Sequence, residues 1–185
     1  FYWVNFISAA LVAGATIFYA LVYTAWLKRT SIHNIVIGGA AGAVPPMVGW
    51  AAITGGLELP SLYLFGIVFF WTPPHFWALS LLIKDDYAKA GVPMLPVVYG
   101  EEATAKGILG HSIILVTLTI LFATTSVVGV IYAASAVTLG AIFLFYAIQV
   151  FRATTRQSAR RLYLYSLLYL ALLFTLMMID ATVTF

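Results

Sequence analysis

Lys84-Asp85-Asp86-Tyr87-Ala88-Lys89-Ala90-Gly91-Val92-Pro93-Met94-Leu95-Pro96-Val97-Val98-Tyr99-Gly100 is a polar connection between two long apolar segments. It carries two adjacent carboxylates, two lysines and a run of helix-breaking residues. With Glu101 and Glu102 just beyond it, this neighbourhood holds four of the six acidic residues in the chain. On either side the composition is extreme: 63% hydrophobic and 8% charged, with mean hydropathy +1.04. Soluble domains carry about 25% charged residues, so the chain reads as an integral membrane protein. It has no cysteine, which excludes disulfides and thiolate metal sites. No basic leader with a small-residue cleavage site precedes the first apolar segment, so no signal peptide is expected, and residues upstream of Phe1 are expected to be missing.

A helix needs about 20 consecutive apolar residues to cross the hydrocarbon core. By that measure six spans are predicted, near 3–27, 35–54, 61–83, 108–130, 134–151 and 162–179, the fourth and fifth divided around Tyr132 to Ser135. Lys28 and Arg29 follow the first span, Lys84, Lys89 and Lys106 the third, and Arg152, Arg156, Arg160 and Arg161 the fifth. All nine basic residues therefore fall in alternate connections. This positive-inside pattern places the Asp85 connection in the cytoplasm, or in the matrix of a mitochondrion. The opposite side holds Glu58 and Asp180, the latter reading as a terminus residue. The arginines read as headgroup anchors, and no nucleic-acid partner is expected.

Two spans do not read as plain lipid-facing helices. In the second, Gly38 and Gly42 form a small-xxx-small face suited to close backbone approach, and Pro45-Pro46 then removes two amide donors. The third carries Pro73-Pro74 beside the intramembrane His75. Each double proline is expected to kink or break its helix, which membrane proteins tolerate where the backbone faces protein or a wet cavity.

The residues able to do chemistry gather on the basic side. Magnesium takes one or two carboxylates together with phosphate oxygens and water, so Asp85 and Asp86 suit a metal-bound anionic substrate. The nearby lysines would neutralise a diphosphate leaving group. The two carboxylates point about 100° apart on a helix, so one can bind metal while the other orients the substrate or pairs with Lys89. The alternative is a loop where charge is simply permitted. On the same side, Lys28 and Arg29 could hold phosphate, and Asn34 could cap its helix or ligate metal; the alternative is a membrane anchor with an ordinary cap. His75, roughly 13 Å inside at helical rise, could bind iron, handle a proton, or hydrogen-bond a carbonyl freed by the prolines.

At these residues the chain resembles a known family. Tyr23-Thr24-Ala25-Trp26-Leu27-Lys28-Arg29-Thr30, Asn34-Ile35-Val36-Ile37-Gly38-Gly39, Pro45-Pro46 and Gly49-Trp50 are similar to the protohaem IX farnesyltransferases, or haem O synthases. So are Thr72-Pro73-Pro74-His75-Phe76-Trp77-Ala78-Leu79, Lys84-Asp85-Asp86-Tyr87 and Ala90-Gly91-Val92-Pro93-Met94-Leu95-Pro96-Val97. These blocks run from about Tyr23 to Gly107; beyond them the agreement is in hydropathy and number of spans. The family belongs to the UbiA-type intramembrane prenyltransferases, with nine helices around a central cavity. The resemblance implies transfer of farnesyl from farnesyl diphosphate to the vinyl group of haem b. Mg2+ would assist departure of diphosphate, the vinyl group would attack the allylic cation, and water would complete the side chain of haem O.

Carried over by position, Asp85 and Asp86 match the family's second acidic motif and are expected to hold the metal, with Lys84 and Tyr87 as further catalytic residues. Lys28, Arg29, Asn34, Lys89 and His75 are expected to bind substrate. The wider superfamily often has Asp-x-x-x-Asp in this motif; here Lys89 and Ala90 stand four residues after Asp85 and Asp86, as in haem-directed members. The family's first acidic motif, an Asn-Asp-x-x-Asp loop, is not in the chain. The expected fold is thus all-α, a polytopic bundle whose six spans correspond to helices four to nine. It would form a single partial prenyltransferase domain without its N-terminal third, inactive alone. Expected partners are the bilayer, the two substrates, and a haem A synthase or terminal oxidase assembly. The expected location is a bacterial or archaeal cell membrane, or the mitochondrial inner membrane. Competing readings are a polyprenyltransferase acting on a quinone precursor or lipid, and a transporter or non-catalytic membrane subunit.

Overall fold

In the computed structural model, which describes residues 4–184, six helices are long and apolar enough to cross a membrane. The first span is a composite: α1 (Phe6–Ile17), a π-helical segment (Phe18–Leu27) and a last turn α2 (Lys28–Thr30). Residue 3, where the hydropathy reading starts this span, lies outside the described residues. The chain then forms α3 (Asn34–Thr54), α4 (Leu59–Leu82), the short α5 (Lys84–Lys89) and α6 (Leu95–Val98), and the long α7 (Gly100–Phe122), α8 (Val130–Arg152) and α9 (Arg156–Thr184). α7 and α9 begin ahead of their apolar runs because their polar first turns continue past the hydrocarbon. Glu101 and Glu102 occupy the first turn of α7, where carboxylates complement the helix dipole.

The expected division near Tyr132 to Ser135 is displaced. Those residues lie inside α8, and the turn falls earlier, where Thr124 and Thr125 hydroxyls return to the Leu121 and Phe122 carbonyls at 2.7 Å. Asp180 is no loose terminus residue either. It is fully buried, and its carboxylate accepts the amides of Gly129, Ile131 (2.9 Å) and Tyr132 (3.2 Å). It supplies from α9 the capping acceptor that the start of α8 lacks in its own sequence.

Each long helix packs on its successor, and α4 packs on α9 as well. This contact closes α4, α7, α8 and α9 into a four-helix ring, while α3 and the first span form an arm on α4. Every residue of the main buried cluster comes from the ring, among them Ile67, Ile108, Leu115, Phe143, Leu162 and Tyr169.

Neither double proline breaks its helix. Pro45 and Pro46 lie within α3, and Pro73 and Pro74 within α4. Each proline deletes one ladder bond, but its fixed φ is helical. α3 is held between the first span and α4, and α4 between α3, α7 and α9. Of the two glycines read as a close-packing face, Gly38 is tightly packed and Gly42 is not; the second tight glycine is Gly39. A Cβ on Gly38 would lie 2.2 Å from Tyr23 Cδ2 and one on Gly39 3.0 Å from Thr72 Cγ2, whereas at Gly42 it would meet nothing within 4 Å. Gly38→Ala is therefore expected to cost about 1–3 kcal/mol by overpacking, and Gly42→Ala to be neutral or to gain about 0.5–1 kcal/mol from helix propensity. Thermal unfolding of the two variants in one detergent checks the opposite signs.

Candidate functional site

α4 stops at Ile83, whose backbone (φ −121°, ψ 33°) turns the chain sideways into α5. Gly91, at φ +65°, reverses it in a conformation that favours glycine. The Met94 amide donates to the Val92 carbonyl at 2.8 Å and so turns the chain at Pro93, Met94 is extended, and α6 opens with Pro96 in its first turn. Met94 and Pro96 are buried, so the connection is pinned to the bundle at its middle while α5 projects.

Asp85, Asp86 and Lys89 are exposed on α5, and none of them forms an ion pair among the described residues. The expected pairing of one carboxylate with Lys89 is therefore not made. Lys84 is half-buried and its Nζ lies 3.3 Å from Glu101 Oε1. An ion pair this open to solvent is worth about 1 kcal/mol or less, so an incoming anion can compete for the lysine. Asp85 also lines a polar cavity of about 220 Å³ with Lys84, Glu101, Thr154, Thr155 and Arg156. Arg156 reads from sequence as a headgroup anchor; the ring closure of α4 on α9 brings it beside the acidic loop.

Tyr87 points the other way. It is half-buried and within electrostatic reach of the Tyr23 phenol on the π-helical segment. Burial pushes the Tyr87 phenol up from its ordinary value, so the hydroxyl stays protonated at neutral pH and can donate a hydrogen bond. The wider turn of the π-helix sets Tyr19 and Tyr23 together, ring centroids 5.3 Å apart. Both line a cavity of about 300 Å³ between the first span, α3 and α4, with Gly38, Gly39, Trp71 and Phe76 around it. Nothing in the sequence signals the π-helix, a form frequently found at functional sites.

The second polar cluster lies at the same end of the bundle. Lys28 and Arg29 are exposed on α2. Asn34 does not cap α3, because His33 holds the cap position. Its side chain is fully buried: Nδ2 donates to the Lys28 carbonyl at 3.4 Å, and Oδ1 has no partner among the described residues. A buried acceptor without a donor is uncommon in a native fold, so Oδ1 is suited to a cation or a donor group brought by a ligand. No ion pair joins this cluster to α5 among the described residues.

His75 is buried about 10 Å from the Leu82 end of α4 at ~1.5 Å per residue. Its Nδ1 lies 2.7 Å from Ser166 Oγ on α9, not against a carbonyl released by the prolines. Trp71 stacks on the imidazole at 4.4 Å and Tyr163 at 4.9 Å. The Trp71 indole also donates to the Ser166 carbonyl at 2.8 Å. Ser166 is the partner of His75 that sequence reasoning missed: a serine in an apolar helix, far from His75 in sequence.

Residues 1–177 match the sequence pattern of the UbiA prenyltransferase family. The chain belongs to the UbiA prenyltransferase family. Among its relatives, a protoheme IX farnesyltransferase of a Roseiflexus species is 52% identical over 97% of the chain and 34% of its own length. That of Nitrosomonas eutropha is 51% identical over 96% of the chain and 60% of its own length. That of Thermus thermophilus is 49% identical over 97% of the chain and 29% of its own length. The chain thus spans from 29% to 60% of these relatives. A solved structure from a study of digeranylgeranylglyceryl phosphate synthase in membranes superposes with a TM-score of 0.82 at 15% identity, over 96% of the chain and 62% of that protein. At that identity the likeness concerns the fold: this is an all-α membrane bundle of the UbiA type.

Proposed function

We propose that this UbiA-family protein transfers a farnesyl group from farnesyl diphosphate to a vinyl group of haem b, giving haem O. The observation that carries the reading is the projecting pair Asp85 and Asp86, free of ion pairs at one end of an apolar bundle. Relatives 49–52% identical that are named protoheme IX farnesyltransferases support it. By the positive-inside rule, the basic end faces the cytoplasm.

Adjacent carboxylates are the donor type that Mg2+ uses together with diphosphate oxygens and water, and the orphaned Asn34 Oδ1 at the same end is a further oxygen donor. Asp85 and Asp86 would hold the ion, which when bound offsets the charge of the departing diphosphate. Lys89, Lys28 and Arg29, exposed at the same end, attract the diphosphate, and Lys84 can exchange Glu101 for one of its oxygens. The Tyr87 hydroxyl donates toward the leaving oxygen. Tyr19, Tyr23, Trp71 and Phe76 line the cavity that would shield the allylic chain from water. Their ring faces favour a passing cation.

The test supplies haem b, farnesyl diphosphate and Mg2+ to the purified protein expressed from its complete gene, with products resolved by liquid chromatography and mass spectrometry. Farnesylated haem is expected. Prenylation of an aromatic acid without any haem product would replace this reading with a quinone-directed one.

A further inference from the structure

The hydrogen bonds around His75 select one tautomer. Ser166 Oγ lies 2.6 Å from the Tyr163 carbonyl, which can only accept, and 2.7 Å from His75 Nδ1. A serine hydroxyl has one proton, and the carbonyl takes it. The remaining contact then requires Nδ1–H to donate to Oγ. In the neutral ring Nε2 is left with the lone pair, and it has no hydrogen-bond partner among the described residues. Trp71 and Tyr163 both stack on the imidazole and Phe76 meets it edge-on at 5.1 Å, so a ligand reaches Nε2 in the ring plane, along its lone pair. This is the arrangement of a metal-binding histidine, whose second nitrogen is fixed by a donor bond to a neighbouring group.

We propose that Ser166 is a positioning residue that holds His75 with Nε2 as an electron-pair donor to the iron of a metalloporphyrin. The inference rests on haem b being the prenyl acceptor. Trp71 strengthens the device by anchoring the same residue through the Ser166 carbonyl, so one turn of α9 orients two successive turns of α4.

The experiment titrates ferric haem b into the purified full-length protein and follows its absorption and electron paramagnetic resonance spectra. Wild type is expected to give an imidazole-ligated spectrum. His75→Ala is expected to lose it and to regain it with added imidazole. Ser166→Ala, nearly isosteric, is expected to weaken haem binding about 10–100-fold, the usual effect of removing such an outer partner, while Ser166→Thr keeps the hydroxyl and the spectrum. A merely structural serine would move stability and leave the iron signature alone. Haem binding with a spectrum unchanged in His75→Ala, or with affinity and spectrum unchanged in Ser166→Ala, overturns the inference and leaves the farnesyl transfer reading intact. Failure of wild type to bind haem at all removes the acceptor assignment and this inference together.

Discussion

Asp85→Ala and Asp86→Ala are each expected to lower haem O formation by about 10²–10³-fold, the usual loss when one preorganised electrostatic contact to a developing charge is removed. Both side chains are exposed on a short helix and outside the two ion pairs of the described residues. Exposed substitutions of this kind move stability by about 0.5 kcal/mol or less, so activity should fall while the unfolding temperature holds. Asp→Asn at each position keeps shape and removes charge. If the carboxylates act by holding Mg2+, raising its concentration should restore part of the lost rate in the Asn variants and none in a variant that fails for another reason. Glu102→Gln is the matched control, because that carboxylate is also exposed but spent on Lys106 at 2.6 Å. Both Asp→Ala variants turning over at the wild-type rate would remove the acidic loop from the site.

The difference between what hydropathy reveals and what it hides is a matter of range. The spans and their alternation are legible because they are local runs of apolar residues, four of them ended by lysine, glycine or arginine at Lys28, Gly55, Lys84 and Arg152; the fourth, which ends in threonines, is the one whose end is displaced. The reach of Lys84 to Glu101 is local too, with one connection between them. The bond from His75 to Ser166 spans 91 residues and exists only because α4 closes on α9. No periodicity in either helix encodes that closure. The double prolines leave their helices unbroken for the same reason: a lone helix loses its ladder there, but one gripped on several sides stays helical. Arg156 is the same case in electrostatics, a headgroup anchor by composition that the fold sets beside Asp85.

Asp180→Ala is expected to be the most destabilising single change in the ring. The carboxylate is fully buried and accepts three amides at the start of α8, those of Gly129, Ile131 and Tyr132. Alanine would strand these donors, and each buried amide left unpaired costs about 1–3 kcal/mol. Part of that is recovered where the frayed turn reaches water, so a net loss of about 3 kcal/mol follows. For a chain of this size that lowers the unfolding midpoint by roughly 6–12 °C. The damage should spread inward, because Tyr132, whose amide is one of the three, sends its hydroxyl to the Thr119 carbonyl at 3.0 Å. Thr119 in turn meets the Tyr169 hydroxyl at 2.9 Å, so the cap and the buried polar chain of α7, α8 and α9 share a member. Asp180→Asn keeps one acceptor oxygen and should lose about half as much. Fluorescence-detected unfolding in detergent separates the two, and an alanine variant that melts with wild type would show that α8 is capped by water instead.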